Sequence, residues 1–145
     1  MQLALVNRSS AENVFINVKN GFATTLTTGY VCCFDFTNDT TGVTVSQPQT
    51  ATNSAWYAVA GVAADDIATL GYGRVRAYGI GDTYISTDNS GTDVLAQGQV
   101  LGIVTGQWYL TSNGLSDGKS GAAFVNASYM ISGKKTNSKV FIRAL

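Results

Sequence analysis

Histidine is absent from this 145-residue chain, and its only two cysteines, Cys32 and Cys33, are neighbours. Cysteines that are adjacent on a strand point to opposite faces and rarely form a disulfide with each other. The chain therefore has no disulfide framework, no zinc site and no histidine base to activate a cysteine nucleophile. We expect Cys32 and Cys33 to be small buried hydrophobic residues, and we expect neither a metal nor a cofactor.

Charged side chains are also scarce. They make up 12% of the residues, about half the share of an ordinary globular protein. Nine Lys and Arg residues balance nine Asp and Glu residues, so the net charge is zero, which argues against nucleic acid held through phosphate neutralisation. A neutral, charge-poor surface has little electrostatic repulsion between copies and favours association, so we expect a homo-oligomer.

Long apolar segments are missing as well. The longest apolar run, residues 55–64, is far shorter than the roughly 20 residues that a membrane-spanning helix needs. Residues 1–6 have neither the basic nor the long apolar segment of a signal peptide. We therefore expect no membrane partner, and a protein that is made and kept in a cytoplasm.

Short strands separated by turns are the pattern that remains. No segment keeps the helical period of about 3.6 residues over several turns, whereas short alternating apolar segments recur between turns rich in Gly and Asn. This pattern predicts an all-β fold, a single-domain β-barrel or β-sandwich over residues 1–145. Residues 1–28, which are rich in Thr near their end, are left as an extended N-terminal arm or as edge strands.

The alternation also places the individual strands along the chain. The predicted strands cover residues 14–18, 30–36, 43–46, 56–63, 74–80, 99–104, 107–110, 123–125 and 139–145. Residues 107–110 are predicted to form a hairpin with residues 99–104. Residues 81–93 are predicted as a loop that is interrupted by Tyr84 and Ile85.

Residues 55–80 form the centre of the predicted fold. Both faces of the strand at residues 56–63 are apolar, so both should be covered, one by the domain core and the other by a second covering such as a subunit interface. Asp65 and Asp66 are predicted to form a turn in which their carboxylates meet free backbone N–H groups. The next strand is predicted to point three residues inwards and three outwards: Val75, Ala77 and Gly79 against Arg74, Arg76 and Tyr78.

Three short motifs invite a functional interpretation, but turn chemistry explains each of them more simply. Asp65 and Asp66 could form a general acid/base pair, although adjacent side chains diverge. The segment Asp88–Asp93 is rich in oxygen atoms but lacks the residue order of a calcium loop, which favours a hairpin loop. Gly71 and Gly73 precede a strand instead of a helix, which argues against a phosphate loop and predicts a glycine corner.

Two groups of side chains remain as binding surfaces. The C-terminal third is basic and carries no acidic residue after Asp117, so it either docks on an acidic partner or is an ordinary solvated surface. Its cations are Lys119, Lys134, Lys135, Lys139 and Arg143. A set of aromatic residues offers interface anchors, a sugar platform or simply core: Trp56, Tyr57, Tyr72, Tyr78, Trp108 and Tyr109.

In the stretch Val59–Ile80, the strand Val59-Ala60-Gly61-Val62-Ala63 is followed by an aspartate-led turn, Asp66-Ile67-Ala68, and by a glycine corner, Gly71-x-Gly73-x-Val75-x-x-x-Gly79. In this order of elements the stretch resembles the small bacteriophage capsid decoration (cement) proteins. The resemblance implies a β-barrel-like protein, often trimeric, that binds the outer face of an icosahedral shell. It implies the major capsid protein as the partner, a place on the virion after assembly in the host cytoplasm, and no catalytic residues.

We therefore expect a non-enzymatic virion structural protein, a homotrimer in the favoured form, that bridges capsid subunits through many weak contacts. A tail-fibre or carbohydrate-binding β-module is the alternative, because it uses the same composition. The residues expected at the interface are Trp56, Tyr57, Val59, Arg74, Arg76, Tyr78, Trp108, Lys134 and Lys135.

Overall fold

The computed structural model describes residues 12–48, 59–86, 92–104, 106–112, 123–125, 129–132 and 136–144. Its strands are β1 (Val14–Asn20), β2 (Val31–Phe34), β3 (Thr44–Ser46), β4 (Val59–Ala63), β5 (Tyr72–Ile85), β6 (Thr92–Leu95), β7 (Val100–Ile103), β8 (Leu110–Thr111), β9 (Ala123–Val125), β10 (Tyr129–Ser132) and β11 (Thr136–Arg143). Within these ranges the fold is all-β, as the sequence predicts. Among the described residues, no helix has the length and apolar character to cross a membrane.

β5 is the longest strand, and two closed rings of strands share it. The first ring is a five-stranded barrel in the order β1, β3, β2, β4 and β5, which the pairing of β1 with β5 closes. Every pairing in it is antiparallel except that of β1 with β3. The prediction of an all-β barrel or sandwich is therefore confirmed, and the barrel is the form it takes.

The second ring continues from the other half of β5. Its order is β5, β11, β9, β7 and β8, and a single parallel pair, Ile85 with Leu110, closes it. The pairing of β11 with β5 runs through eight register partners, from Thr136 opposite Ile85 to Arg143 opposite Tyr78. β6 and β10 form a separate two-stranded sheet.

The chain has two hydrophobic cores, and β2 and β4 form the wall between them because both strands contribute side chains to each core. Alternate side chains of a strand point to opposite faces, so Cys32 lies in the first core and Cys33 in the second. The buried members of the first core are Val18, Leu26, Cys32, Val45, Ala60, Ala63, Ile67 and Val75. The buried members of the second are Val31, Cys33, Val62, Ile85, Leu95, Leu101, Ile103, Leu110, Ala123, Val125, Val140 and Ile142.

The position of β4 between the two cores corrects the prediction that a subunit interface covers its second face. Both faces of this strand are covered, as expected, but the second covering over residues 59–63 is the second core of the same chain, not a subunit interface. The alternation also shifts, because Ala60 and Ala63 both face the first core while Val62 faces the second. A register irregularity opposite β2 accommodates this shift, and Gly61 there has a φ of 138°.

The N-terminal segment corrects a second prediction, the alternative that residues 1–28 form an extended arm. β1 pairs with β5 on one side and with β3 on the other, so it closes the barrel. Leu26 is fully buried and bridges Ile67 through two backbone hydrogen bonds. Within residues 12–28 the extended-arm alternative is therefore wrong, and residues 1–11 lie outside the described residues.

The third correction concerns the segment after residue 80. The sequence predicts a loop over residues 81–93, but β5 runs to Ile85, and every second residue from Val75 to Ile85 is buried. Gly79 lies in the predicted strand, whereas Gly81 looks like a strand breaker in a sequence. They remain in the strand because β11 pairs with the whole segment.

The hairpin predicted over residues 99–110 forms, but its second strand starts later. β7 pairs with β8 through Ile103 opposite Leu110. Residues 107–109 precede that strand instead of belonging to it. The last strand keeps the predicted facing, because Val140 and Ile142 are buried in the second core.

Candidate functional site

The outer surface of β1, β5 and β11 carries a set of arginine and aromatic side chains. Because alternate residues of β5 point outwards, Arg74, Arg76 and Tyr78 share this surface, as the sequence predicts. Their neighbours in register or in ring contact come from β1 and β11. We name this surface the arginine–aromatic face, and its residues are Phe15, Arg74, Arg76, Tyr78, Phe141 and Arg143.

Phe15 lies at the centre of this face. It stands opposite Arg76 in the register of β1 with β5 and is 40% exposed. The guanidinium carbon of Arg74 is 5.6 Å from the centre of the Phe15 ring, and that of Arg76 is 5.3 Å away. Each cation–π contact at such a partly exposed site contributes about 0.5–1 kcal/mol and fixes the orientation of the arginine.

Tyr78 and Phe141 extend the apolar part of the face onto β11. Their rings meet edge to face with 5.0 Å between ring centres. Tyr78 is 36% exposed, and Arg143 stands opposite it in the β5–β11 register. The face therefore alternates aromatic rings with cations, the composition found at the energetic centres of protein interfaces.

Arg74 is held by the turn that precedes β5. The carboxylate of Asp65 accepts hydrogen bonds from Nε and Nη2 of Arg74 at 2.9 and 2.8 Å, and a third from its backbone N–H at 3.1 Å. These bonds from Arg74 lower the pKa of Asp65 to about 2. The pair is largely exposed, so it orients the arginine more than it stabilises the fold.

Asp66 points away from Asp65 and serves the same turn. Its Oδ1 accepts hydrogen bonds from the backbone N–H of Thr28 at 2.7 Å and from Oγ1 of Thr28 at 2.9 Å. These bonds lower the pKa of Asp66. Both carboxylates thus meet backbone N–H groups, as the turn prediction states, and neither has the raised pKa that marks a general acid.

Arg76 lies in a bend of β5. Its Nη1 occupies the position where a Cβ on Gly81 would stand. Five residues of straight strand span roughly 16 Å, which is longer than an arginine side chain, so β5 must bend between the two residues. Gly79, with a φ of 114°, lies within this segment.

The guanidinium group of Arg76 has unused hydrogen-bonding capacity. Its Nε is buried and has no hydrogen-bond partner among the described residues. Arg76 and Arg143 form no ion pair with any described residue. The cations of the face are therefore only partly neutralised, since Asp65 balances Arg74 alone.

Trp108 belongs to a different aromatic group. Its ring stacks on Tyr30 at 5.2 Å between centres and meets Phe22 edge to face at 5.1 Å. Tyr30 also meets Tyr84 edge to face at 5.5 Å. Trp108 and Tyr30 pack against the first core, so Trp108 contacts its own chain there and does not join the arginine–aromatic face.

The remaining predicted interface residues do not lie on the face. Val59 is partly buried against the second core. Four others lie outside the described residues: Trp56, Tyr57, Lys134 and Lys135. The candidate calcium loop is also undescribed over residues 88–91, and residues 92 and 93 begin β6.

Cys32 and Cys33 are both fully buried, which confirms that they are core residues. Burial raises the pKa of the Cys33 thiol to about 12 and that of Cys32 well above its usual value. Both thiols are therefore protonated at neutral pH and unreactive. In the described part of the chain, no three His, Cys, Asp or Glu side chains come together as a metal site.

Sequence reasoning missed Phe15 and Phe141 as members of the face. Alternation along each strand shows only that both rings point away from the core, and strand pairing brings them to the same face. Phe15 alternates with Ile16 and Val18, and Phe141 lies between Val140 and Ile142.

No protein-family model matches the chain, and no curated protein matches it.

Proposed function

We propose that the chain is a non-enzymatic virion structural protein that docks on the outer surface of a capsid through its arginine–aromatic face. The observation that carries this proposal is the cation–aromatic face on a scaffold with two packed cores. Aromatic and arginine side chains dominate the binding energy of protein interfaces, and a rigid strand scaffold keeps the entropy cost of docking low.

The partner in this proposal is the major capsid protein, and the oligomer is a homotrimer. A shell repeats its surface many times, so contacts that are weak individually add through multivalency. A trimer matches the local three-fold positions of such a shell. The resemblance of residues 59–80 to capsid decoration proteins points to the same role.

Binding to particles tests the proposal. Virus particles from the biological source of the sequence are purified on a density gradient and probed with an antibody against the recombinant protein. The protein should co-migrate with particles, and recombinant protein should rebind to particles from which it has been stripped. Absence from purified particles together with failure to rebind would refute the proposal.

A matched pair of variants locates the binding surface. The double variant Phe15→Ala with Tyr78→Ala should lose most rebinding, because hot-spot truncations cost about 2 kcal/mol or more each. Phe36→Ala with Val43→Ala is the control, since Phe36 and Val43 are 50% and 40% exposed on another part of the barrel. The control should rebind like the wild type.

A carbohydrate-binding module is the second candidate, favoured by one observation. Phe22, Tyr30, Tyr84 and Trp108 form a continuous set of partly exposed rings, and such rings can stack on sugars. A panel of oligosaccharides that raises the thermal midpoint of the wild type but not of Trp108→Ala would favour this function over docking.

A further inference from the structure

The guanidinium group of Arg76 is positioned before any partner arrives. The Phe15 ring lies beneath it at 5.3 Å, and the missing side chain of Gly81 leaves the space for Nη1. A guanidinium group presents five N–H donors in a planar fork that matches a carboxylate. In Arg76, Nε is buried, and neither it nor either Nη atom donates to a described residue, so the Nη groups are the donors left for a partner.

We propose that Arg76, oriented by Phe15 and Gly81, is a preformed receptor for a carboxylate of the partner. The arginine–aromatic face then docks on an acidic protein surface. This inference rests on the proposed docking function and adds to it the chemistry of the surface that is bound.

Charge complementarity supports an acidic partner. Arg143 stands on the same face beside Tyr78 and has no ion-pair partner among the described residues. Lys19 lies further along β1 with no ion pair to a described residue. Among the described residues, the one ion pair on this face is that of Arg74 with Asp65. Asp82 also lies on an outward position of β5, so charges of both signs are present, and the cations without an ion-pair partner favour an acidic surface over a basic one.

A nucleic acid fits the face less well than a protein carboxylate. Single-stranded nucleic acids stack their bases on open aromatic rings, but two guanidinium groups already lie over Phe15. Phosphate binding also draws on a surplus of cations, whereas this chain has a net charge of zero. We therefore take the acidic protein surface as the occupant and keep nucleic acid as an outcome of the test.

Gly81→Ala is the decisive variant because it changes the position of Arg76 without changing any charge. The new Cβ collides only with the mobile end of the Arg76 side chain, so the guanidinium group must leave its site. Gly81 has no positive φ, so alanine introduces no backbone strain. Arg76→Ala removes the group, and Arg143→Ala removes one equivalent charge from the same face without touching the site.

The probes are short poly-L-glutamate and single-stranded oligo-dT, titrated at low salt by isothermal calorimetry into the wild type and the three variants. The wild type should bind poly-L-glutamate. Gly81→Ala and Arg76→Ala should each weaken that binding about tenfold, the effect of one charged hydrogen-bonded contact. Arg143→Ala should weaken it by less than about threefold, as for an exposed charge. Circular dichroism melts establish that each variant is folded.

Several results would overturn the receptor: no binding of poly-L-glutamate by the wild type, equal binding by Gly81→Ala, or an equal loss with Arg143→Ala. Tighter Arg76-dependent binding of oligo-dT would make the face a nucleic-acid site instead. Rebinding to stripped particles is measured in parallel. If the wild type and Gly81→Ala rebind equally, the docking proposal stands and the proposal of a carboxylate receptor at Arg76 is wrong. If Gly81→Ala loses binding of poly-L-glutamate but the wild type never rebinds to particles, the receptor proposal stands and the capsid function is wrong.

Discussion

Gly61 is the single residue on which the wall between the two cores depends most directly. Its φ of 138° is one that only glycine adopts readily, and a Cβ there would collide with the backbone carbonyl of Arg76. The glycine thus allows β4 to change the facing of its side chains while it stays paired with β2 and β5.

Gly61→Ala should therefore destabilise the fold by roughly 2–4 kcal/mol, the sum of backbone strain and overpacking. Gly98→Ala is the matched control, because Gly98 also has a positive φ of 80° but no atom lies within 4 Å of a Cβ there. The control should cost only about 1 kcal/mol of strain. Urea unfolding measures both, and equal losses would refute the packing account of Gly61.

Three aspartates make stability depend on acid pH. Hydrogen bonds from Thr41 and Thr44 lower the pKa of Asp39 well below its usual value, and the pKa of Asp65 falls to about 2. Asp66 is lowered by its bonds from Thr28. Because the folded-state pKa values lie below the unfolded value of about 3.9, the stabilisation is present above pH 4 and is lost as pH falls towards 2.

The thermal midpoint should accordingly be flat between about pH 5 and 8, where a chain without histidine has no ordinary side chain that titrates. It should then fall steadily below about pH 4. Asp39→Asn should lower the midpoint at neutral pH and reduce the acid slope. An unchanged slope in this variant would mean that the loop hydrogen bonds of Asp39 do not act in solution.

At the scale of the strands, the sequence pattern predicted which side chains point inwards better than it predicted where each strand ends. Val75 and Ala77 inside β5, and Val140 inside β11, follow from simple alternation. The run of β5 past residue 80, through Gly81 to Ile85, could not be predicted, because its pairing with β11 comes from residues more than fifty positions later. Local propensity ends a strand at glycine, and tertiary pairing overrides it.

The arginine–aromatic face was predictable only in part, because alternation groups the residues of one strand but not those of different strands. Arg74, Arg76 and Tyr78 share one strand, so alternation alone groups them. Phe15 and Phe141 join them only through strand pairing, which a single sequence does not reveal. The site at Arg76 depends on a bend in β5, and no local sequence pattern predicts that bend.

The strand β2 offers a direct test of how the two cores are coupled. Cys32 reports on the first core and Cys33 on the second, and both are fully buried. Because β2, β4 and β5 serve both cores, we expect the cores to unfold together. Cys32→Ala and Cys33→Ala leave one thiol each, whose labelling by a disulfide reagent reports on opening of one core.

In native buffer both single thiols should react at least about a thousandfold more slowly than in denaturant, because reaction requires global unfolding. The two rates should agree once each is corrected for the stability of its variant. Rapid labelling of one thiol alone would show that one core opens independently of the other.

At the scale of the whole molecule, the chain combines a low charge density with several exposed apolar side chains. Leu70 and Tyr72 are 63% and 72% exposed, in addition to the arginine–aromatic face. Such a surface favours association. Static light scattering of the untagged protein across a dilution series should give the mass of a trimer. A monomer at every concentration would contradict the trimer proposal, although docking as a monomer would remain consistent with the face.

The central claim is that the arginine–aromatic face is the surface that meets the capsid, and hydroxyl-radical footprinting tests it most directly. Oxidation of each aromatic residue is compared, by mass spectrometry, between free protein and protein bound to particles. We predict strong protection of Phe15 and Tyr78 on particles and unchanged oxidation of Phe36, which is half exposed elsewhere on the barrel. Equal oxidation of Phe15 and Tyr78 in both states, with protection at Phe36, would contradict it.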